Sequence, residues 1–204
     1  CKEAAALEAS ILPDDTFAWL AMKKAGAALA KAICLDFQEL RPLPEKLRVL
    51  ALIGSGNNAG DALIACSQFL ADFPRASVTL LLTVDPESMR PLAKRAYQDL
   101  RGRVQEHRVE VAHDDEAIHS LLYGASEGAG FAICIDGLLG MSFVPPVRAH
   151  MRGLIEAINS YQHIGLRAAV DVPSGKGDES DALSFRADFS YGTGIVKKVL
   201  LEGN

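Results

Sequence analysis

Charged runs, clustered histidines and long apolar stretches are what this 204-residue chain lacks. No apolar run approaches the ~20 residues of a membrane-crossing helix. No run of Lys or Arg offers an electrostatic footprint for nucleic acid, and a net charge of −5 points the same way. The five histidines (His107, His113, His119, His150 and His163) show no metal-ligand spacing and read as surface residues. Cysteine is scarce: Cys1, Cys34, Cys66 and Cys134 are scattered, the last three inside apolar helix or strand patterns. Buried free thiols are therefore expected, in a reducing, cytoplasmic compartment. No internal repeat or low-complexity tract interrupts the chain, so 1–204 reads as a single domain.

What is present is ordinary for a globular α/β protein: 49% apolar and 23% charged residues. Residues 15–35 place Phe17, Leu20, Met22, Leu29, Ile33 and many alanines at helical spacing, with Gly26 as an interruption. The connector RPLPEK (41–46) is punctuated by proline. Strand patterns then alternate with helical ones. The strands fall at 47–53, 77–84, 108–112, 131–136, 166–172 and 187–191. The helices fall at 59–71, from Pro91, from DDEAIHSLL, and at 147–160. This alternation predicts a parallel sheet with helices on both faces.

The densest signal is LRVLALIGSGNNAGDALIA (47–65), a buried strand running through a glycine-rich turn into a helix. Gly54 and Gly56 permit a tight turn and close backbone approach. The amides from Asn57 to Gly60 open a helix and suit an anion. Gly54-x-Gly56-x-x-Ala59 is a permissive dinucleotide fingerprint, but no acid stands about twenty residues on, Asp85 being further away. A second strand ends in AAVDVPSG (168–175). In an open α/β sheet both ends reach one edge, so they can build one site from a phosphate loop and a carboxylate. Asn57, Asn58 and Asp61 follow the first strand, Asp136 the fourth, Asp171 and Ser174 the fifth. Each alone is explained as a cap or turn residue; together they point to a site.

These residues resemble the YjeF N-terminal domain family, the NAD(P)HX epimerases. The family's GNNGGDG stands here as GNNAGDA (56–62), its DALLGTG as DGLLGMS (136–142), and its DVPSG is intact (171–175). ADFSYGTGIVK (187–197) matches its closing motif without gaps, and AMKKAGAALA (21–30) its early helix. The resemblance implies a Rossmann-like three-layer α/β/α sandwich with a mostly parallel central sheet. It also implies epimerisation of the hydrated cofactors NADHX and NADPHX, at a carbon bearing a hydroxyl beside the ring nitrogen. Such chemistry calls for a positioned acid/base, which a buried carboxylate can supply. By resemblance that group is Asp171.

The resemblance also assigns cofactor binding to Asn57, Asn58, Ala59, Gly60 and Asp61. The other wall is Gly140, Met141, Ser142, Phe143, Val144, Pro145 and Pro146, with Asp171 between the two. Potassium ligands map onto Asn58, Asp136 and Ser174, an oxygen-only set with one carboxylate. A homodimer is implied, along with a partner ADP/ATP-dependent NAD(P)HX dehydratase, in some relatives fused after this domain. Five positions depart from the family: Ala59 and Ala62 replace glycines, Lys176 and Gly177 follow DVPSG, and Lys23 stands where Glu is usual. The altered glycines leave open a non-catalytic nucleotide-binding or scaffold relative. A nicotinamide-dependent dehydrogenase is a weaker reading, because the ribose-binding acid is missing.

Overall fold

The computed structural model describes residues 14–103, 108–112, 116, 118, 120, 130–140, 143–177 and 179–193. Helix α1 (Asp15–Leu40) precedes β1 (Arg48–Ile53), α2 (Asn57–Asp72), β2 (Ser77–Leu82), α3 (Pro91–Arg103) and β3 (Val109–Ala112). Then follow β4 (Phe131–Gly137), α4 (Ala149–Ser160), β5 (Ile164–Val170) and β6 (Phe189–Tyr191). Each strand lies within a few residues of its sequence pattern. The helix expected from DDEAIHSLL falls mostly outside the described residues, although Glu116 and Ile118 are helical.

All neighbouring strands pair in parallel, in the order β3-β2-β1-β4-β5-β6. The composition of β1 shows why its place is central: Val49 to Ile53 carry no polar side chain, and all are fully buried. Val49, Ala51 and Ile53 join the apolar cluster of α1, α2 and α3, whereas Leu50 and Leu52 join that of α4. Helices therefore cover both faces, giving three layers. The order runs outward in opposite directions from β1 and β4. Connections leave the two strands toward opposite faces, so a crevice opens where their C-terminal ends meet.

Helix α1 starts cleanly because the Asp14 carboxylate accepts from the amides of Thr16 (2.8 Å) and Phe17 (3.0 Å). It then runs unbroken through Gly26 to Leu40, so the expected interruption is absent. The reason is packing. A Cβ on Gly26 would lie 2.6 Å from the Cβ of Ile64 in α2, so the glycine lets the two helices close on each other. Trp19, Met22, Leu29, Ile33 and Phe37 form the buried face, while Phe17 is 56% exposed.

Candidate active site

The crevice begins at Gly54. Its amide donates to the Gly137 carbonyl (3.2 Å), and a Cβ there would sit 2.0 Å from the Leu138 carbonyl oxygen. Only glycine lets the exit of β1 cross so close to that of β4. Gly56 then caps α2 with no side-chain bond to its first amides, and nothing lies within 4 Å of where its Cβ would be. An uncapped helix start open to solvent is ready for an anion. Asn57 is exposed at this opening. Ala59, Gly60 and Asp61 turn inward: all are buried, and a Cβ on Gly60 would meet the Met22 sulfur at 2.5 Å.

Two departures from the family pattern are settled here. Ala59 and Ala62 are fully buried in the core, and neither has positive φ. Their methyl groups therefore fill space beneath the loop and do not obstruct a ligand approaching from outside. Asp61 lies beyond the first turn of α2, so it is not a helix-start acid.

Three polar side chains converge around the backbone of Leu139. The Asn58 side-chain amide donates to the carbonyls of Leu139 (3.0 Å) and Val170 (2.8 Å), tying the ends of β4 and β5 to the start of α2. The Leu139 amide donates to Ser174 Oγ (3.0 Å), which itself donates to Asp136 Oδ1 (2.6 Å). Asp136 also accepts from the amides of Ser174 (2.7 Å) and Leu138 (3.2 Å). Its carboxyl is fully buried, and burial pushes its pKa up to about 6 although these hydrogen bonds pull it down.

Asp171 stands at the end of β5, one residue past the carbonyl that Asn58 holds. It is 2% exposed and adopts φ 67°, the left-handed region, which side chains other than glycine, asparagine and aspartate rarely enter. Its amide donates to the Tyr191 carbonyl of β6 (2.8 Å). Beyond it, the turn through Pro173 to Lys176 closes with a 2.9 Å backbone bond. Gly177 approaches the Phe143 ring, a Cβ there lying 3.9 Å from Cδ1.

That approach joins the turn to the second wall. A Cβ on Gly140 would be 3.0 Å from Asn58 Oδ1, and the Phe143 amide donates to the Gly140 carbonyl (2.9 Å). Val144 and Pro146 are exposed and Pro145 half-buried; Met141 and Ser142 lie outside the described residues. A residue that sequence reasoning did not single out steadies this wall. Asp181 accepts from the Val147 amide (2.8 Å) and the Leu183 amide (2.9 Å), and pairs with Arg152 (3.0 Å). Tyr191 was likewise not singled out as a neighbour of Asp171. The bonds of Asp181 to Val147 and Arg152, and of Tyr191 to Asp171, follow no local spacing that the sequence could display.

The other sequence candidates lie apart. Lys23 reaches across the Trp19 ring (5.7 Å) in a groove of about 690 Å³ that α1 forms with residues 64–74. Its departure from the family pattern falls away from the strand ends. His150 and His163 are exposed; the other three histidines are outside the described residues. Cys34, Cys66 and Cys134 are free, and burial pushes the Cys66 thiol up to about 12. Among the described residues, no helix is long and apolar enough to cross a membrane.

A parallel α/β fold in which a glycine-rich helix start and a buried aspartate share one crevice at the strand ends belongs to the class of proteins that keep their ligand site at that edge. Residues 20–199 match the model of one such family, described as YjeF-related protein N-terminus, and the chain belongs to it. An NAD(P)H-hydrate epimerase of Bordetella pertussis is 35% identical over 154 residues, covering 76% of this chain and 57% of that protein. The bifunctional NAD(P)H-hydrate repair enzyme Nnr of Gloeobacter violaceus is 31% identical over 204 residues, covering 96% of this chain and 34% of that one. The crystal structure of yeast ynu0 shares the fold, with a TM-score of 0.62 and 23% identity over 85% of this chain and 69% of that one. The chain thus spans a little over half the length of the Bordetella relative.

Proposed function

We propose that this chain epimerises hydrated NADH and NADPH, interconverting the S and R forms of NADHX and NADPHX. The observation that carries this is the buried Asp171 carboxylate, held in a left-handed turn at the crevice that also contains the uncapped start of α2. The pyrophosphate would lie against the amides that follow Gly56, with Asn57 and Asn58 beside it. Gly140 to Pro146 would form the opposite wall. Asp171 in its acid form would donate a proton to the hydroxyl on the hydrated carbon. The C–O bond breaks, water leaves, and the ring nitrogen lone pair stabilises the resulting cation. Water then adds to either face and returns a proton to the carboxylate, so atoms and charge balance.

Asn58, Asp136 and Ser174 fit a potassium ion. Both amide hydrogens of Asn58 are committed to carbonyls, which leaves its Oδ1 to ligate. Asp136 is fully buried and bonded to no basic side chain among the described residues, so a monovalent cation would supply its missing countercharge. When bound, the ion would hold the three loops together. A homodimer, a cytoplasmic location and a functional partnership with an ADP/ATP-dependent dehydratase belong to the same reading. The name of the bifunctional Gloeobacter relative supports the last of these. The scaffold alternative drew on Ala59 and Ala62, and their burial in the core removes that support.

The test is Asp171→Asn, assayed with separated S and R NADPHX. Epimerisation should fall by ~10²–10⁴-fold, the usual contribution of a positioned acid/base, while dinucleotide binding persists. Unchanged exchange in the variant would overturn the assignment.

A further inference from the structure

Among the described residues Asp171 is the one non-glycine with positive φ, and such a conformation persists only where its surroundings hold it. On its C-terminal side the holding groups are plain. Pro173 fixes its own φ, and the Ser174 amide is bonded to the buried Asp136 carboxylate (2.7 Å). On its N-terminal side the amide of Asp171 is bonded to the Tyr191 carbonyl (2.8 Å), and Val170 pairs with Tyr191 in the ladder.

That support is itself slender. Strand β6 has three residues, Phe189–Tyr191, at the sheet edge, and Phe189 is 37% exposed. Backbone pairing over so short an edge frays readily. Two side chains secure it. At its entry the Asp188 carboxylate accepts from the Arg167 amide (2.7 Å). At its far end the Tyr191 hydroxyl donates to Asp36 Oδ2 of α1 (2.7 Å), across 155 residues of sequence. Burial and the neighbouring Asp36 carboxylate hold that phenol well above its ordinary range, so it remains a donor.

We propose that Tyr191 is a positioning residue for Asp171: its bond to Asp36 fixes the carbonyl that receives the Asp171 amide, and so sets the angle of the acid/base. The inference rests on the catalytic reading of Asp171 for its effect on rate, but not for its effect on backbone order. The hydroxyl is separable from the rest of the residue. Tyr191→Phe keeps the ring and the carbonyl and removes only the bond to α1. Asp36→Asn keeps an oxygen that can accept from the phenol, whereas Asp36→Ala does not.

The experiment has two readouts. The first is hydrogen exchange at the Asp171 amide by NMR in the intact chain. It should be at least about ten-fold faster in Tyr191→Phe and Asp36→Ala, near the wild-type rate in Asp36→Asn, and unchanged at amides of β1 in all three. The second is NADPHX epimerisation. Here kcat should fall about ten-fold in Tyr191→Phe and Asp36→Ala with KM within about two-fold, and the double variant should be no worse than either single one. Wild-type protection and wild-type kcat in both variants would overturn the proposal, as would Asp36→Asn behaving like Asp36→Ala. If Asp171→Asn retains activity, the catalytic reading fails, and the exchange measurement still decides whether Tyr191 orders Asp171.

Discussion

At the scale of single residues, carboxylates do different work according to what surrounds them. Asp181 is the plainest case. Its side chain is 5% exposed, and the amides of Leu183 and Val147, followed by Arg152, hold its pKa below the ordinary range. An unfolded aspartate titrates at about 3.9. Because the folded value is lower, the stability Asp181 contributes is fully present above that point and is lost as pH falls through the folded value. Asp181→Asn should therefore lower Tm at neutral pH, and the gap to wild type should narrow as the solution is acidified below about pH 4. A gap independent of pH in thermal scans would show that the charge is not what matters. Asp136 and Asp171 were legible in the sequence because each ends an apolar strand, where a polar residue stands out. Asp181 and Tyr191 were not, since the bonds that tie them to other elements reach Val147 and Asp36, 34 and 155 residues away, and no spacing records such a bond.

At the scale of elements, the strands were legible because a strand buried on both faces must be apolar at nearly every position, as 49–53 and 131–135 are. Helix α1 was read less well. A glycine in mid-helix is locally unfavourable by about 1 kcal/mol relative to alanine, which is why Gly26 read as a break. Its place opposite Ile64 reverses the balance. Gly26→Ala should gain that propensity yet be destabilised overall, by about 1–3 kcal/mol, because the added methyl must push α1 and α2 away from each other. Denaturant titration checks the sign. A more stable variant would mean that α1 and α2 can separate without loss. The end of α1 was also missed: Phe37 is buried and its carbonyl accepts from the Arg41 amide (2.9 Å), so packing carries the helix to Leu40.

At the scale of the whole molecule, the candidate ion ligands come from the start of α2, the end of β4 and the turn after β5, segments that meet only in the folded chain. An ion bound there stabilises the folded state alone, by about 2.7 kcal/mol at 100 times its Kd. Potassium should therefore raise Tm by several degrees over tetramethylammonium at equal ionic strength, and the difference should vanish in Asp136→Asn. Equal melting in the two salts would remove potassium from the site. Strand β6 adds a consequence in time. It is the last described strand in chain order, and the Asp171 amide is tied to it. During synthesis the parallel sheet from β3 to β5 can assemble before residues 189–191 leave the ribosome, but the aspartate has no strand to anchor it until they do. On the catalytic reading of Asp171, competence is thus acquired after compactness: a nascent chain stalled before Phe189 would hold most of its sheet and lack the strand that anchors that aspartate.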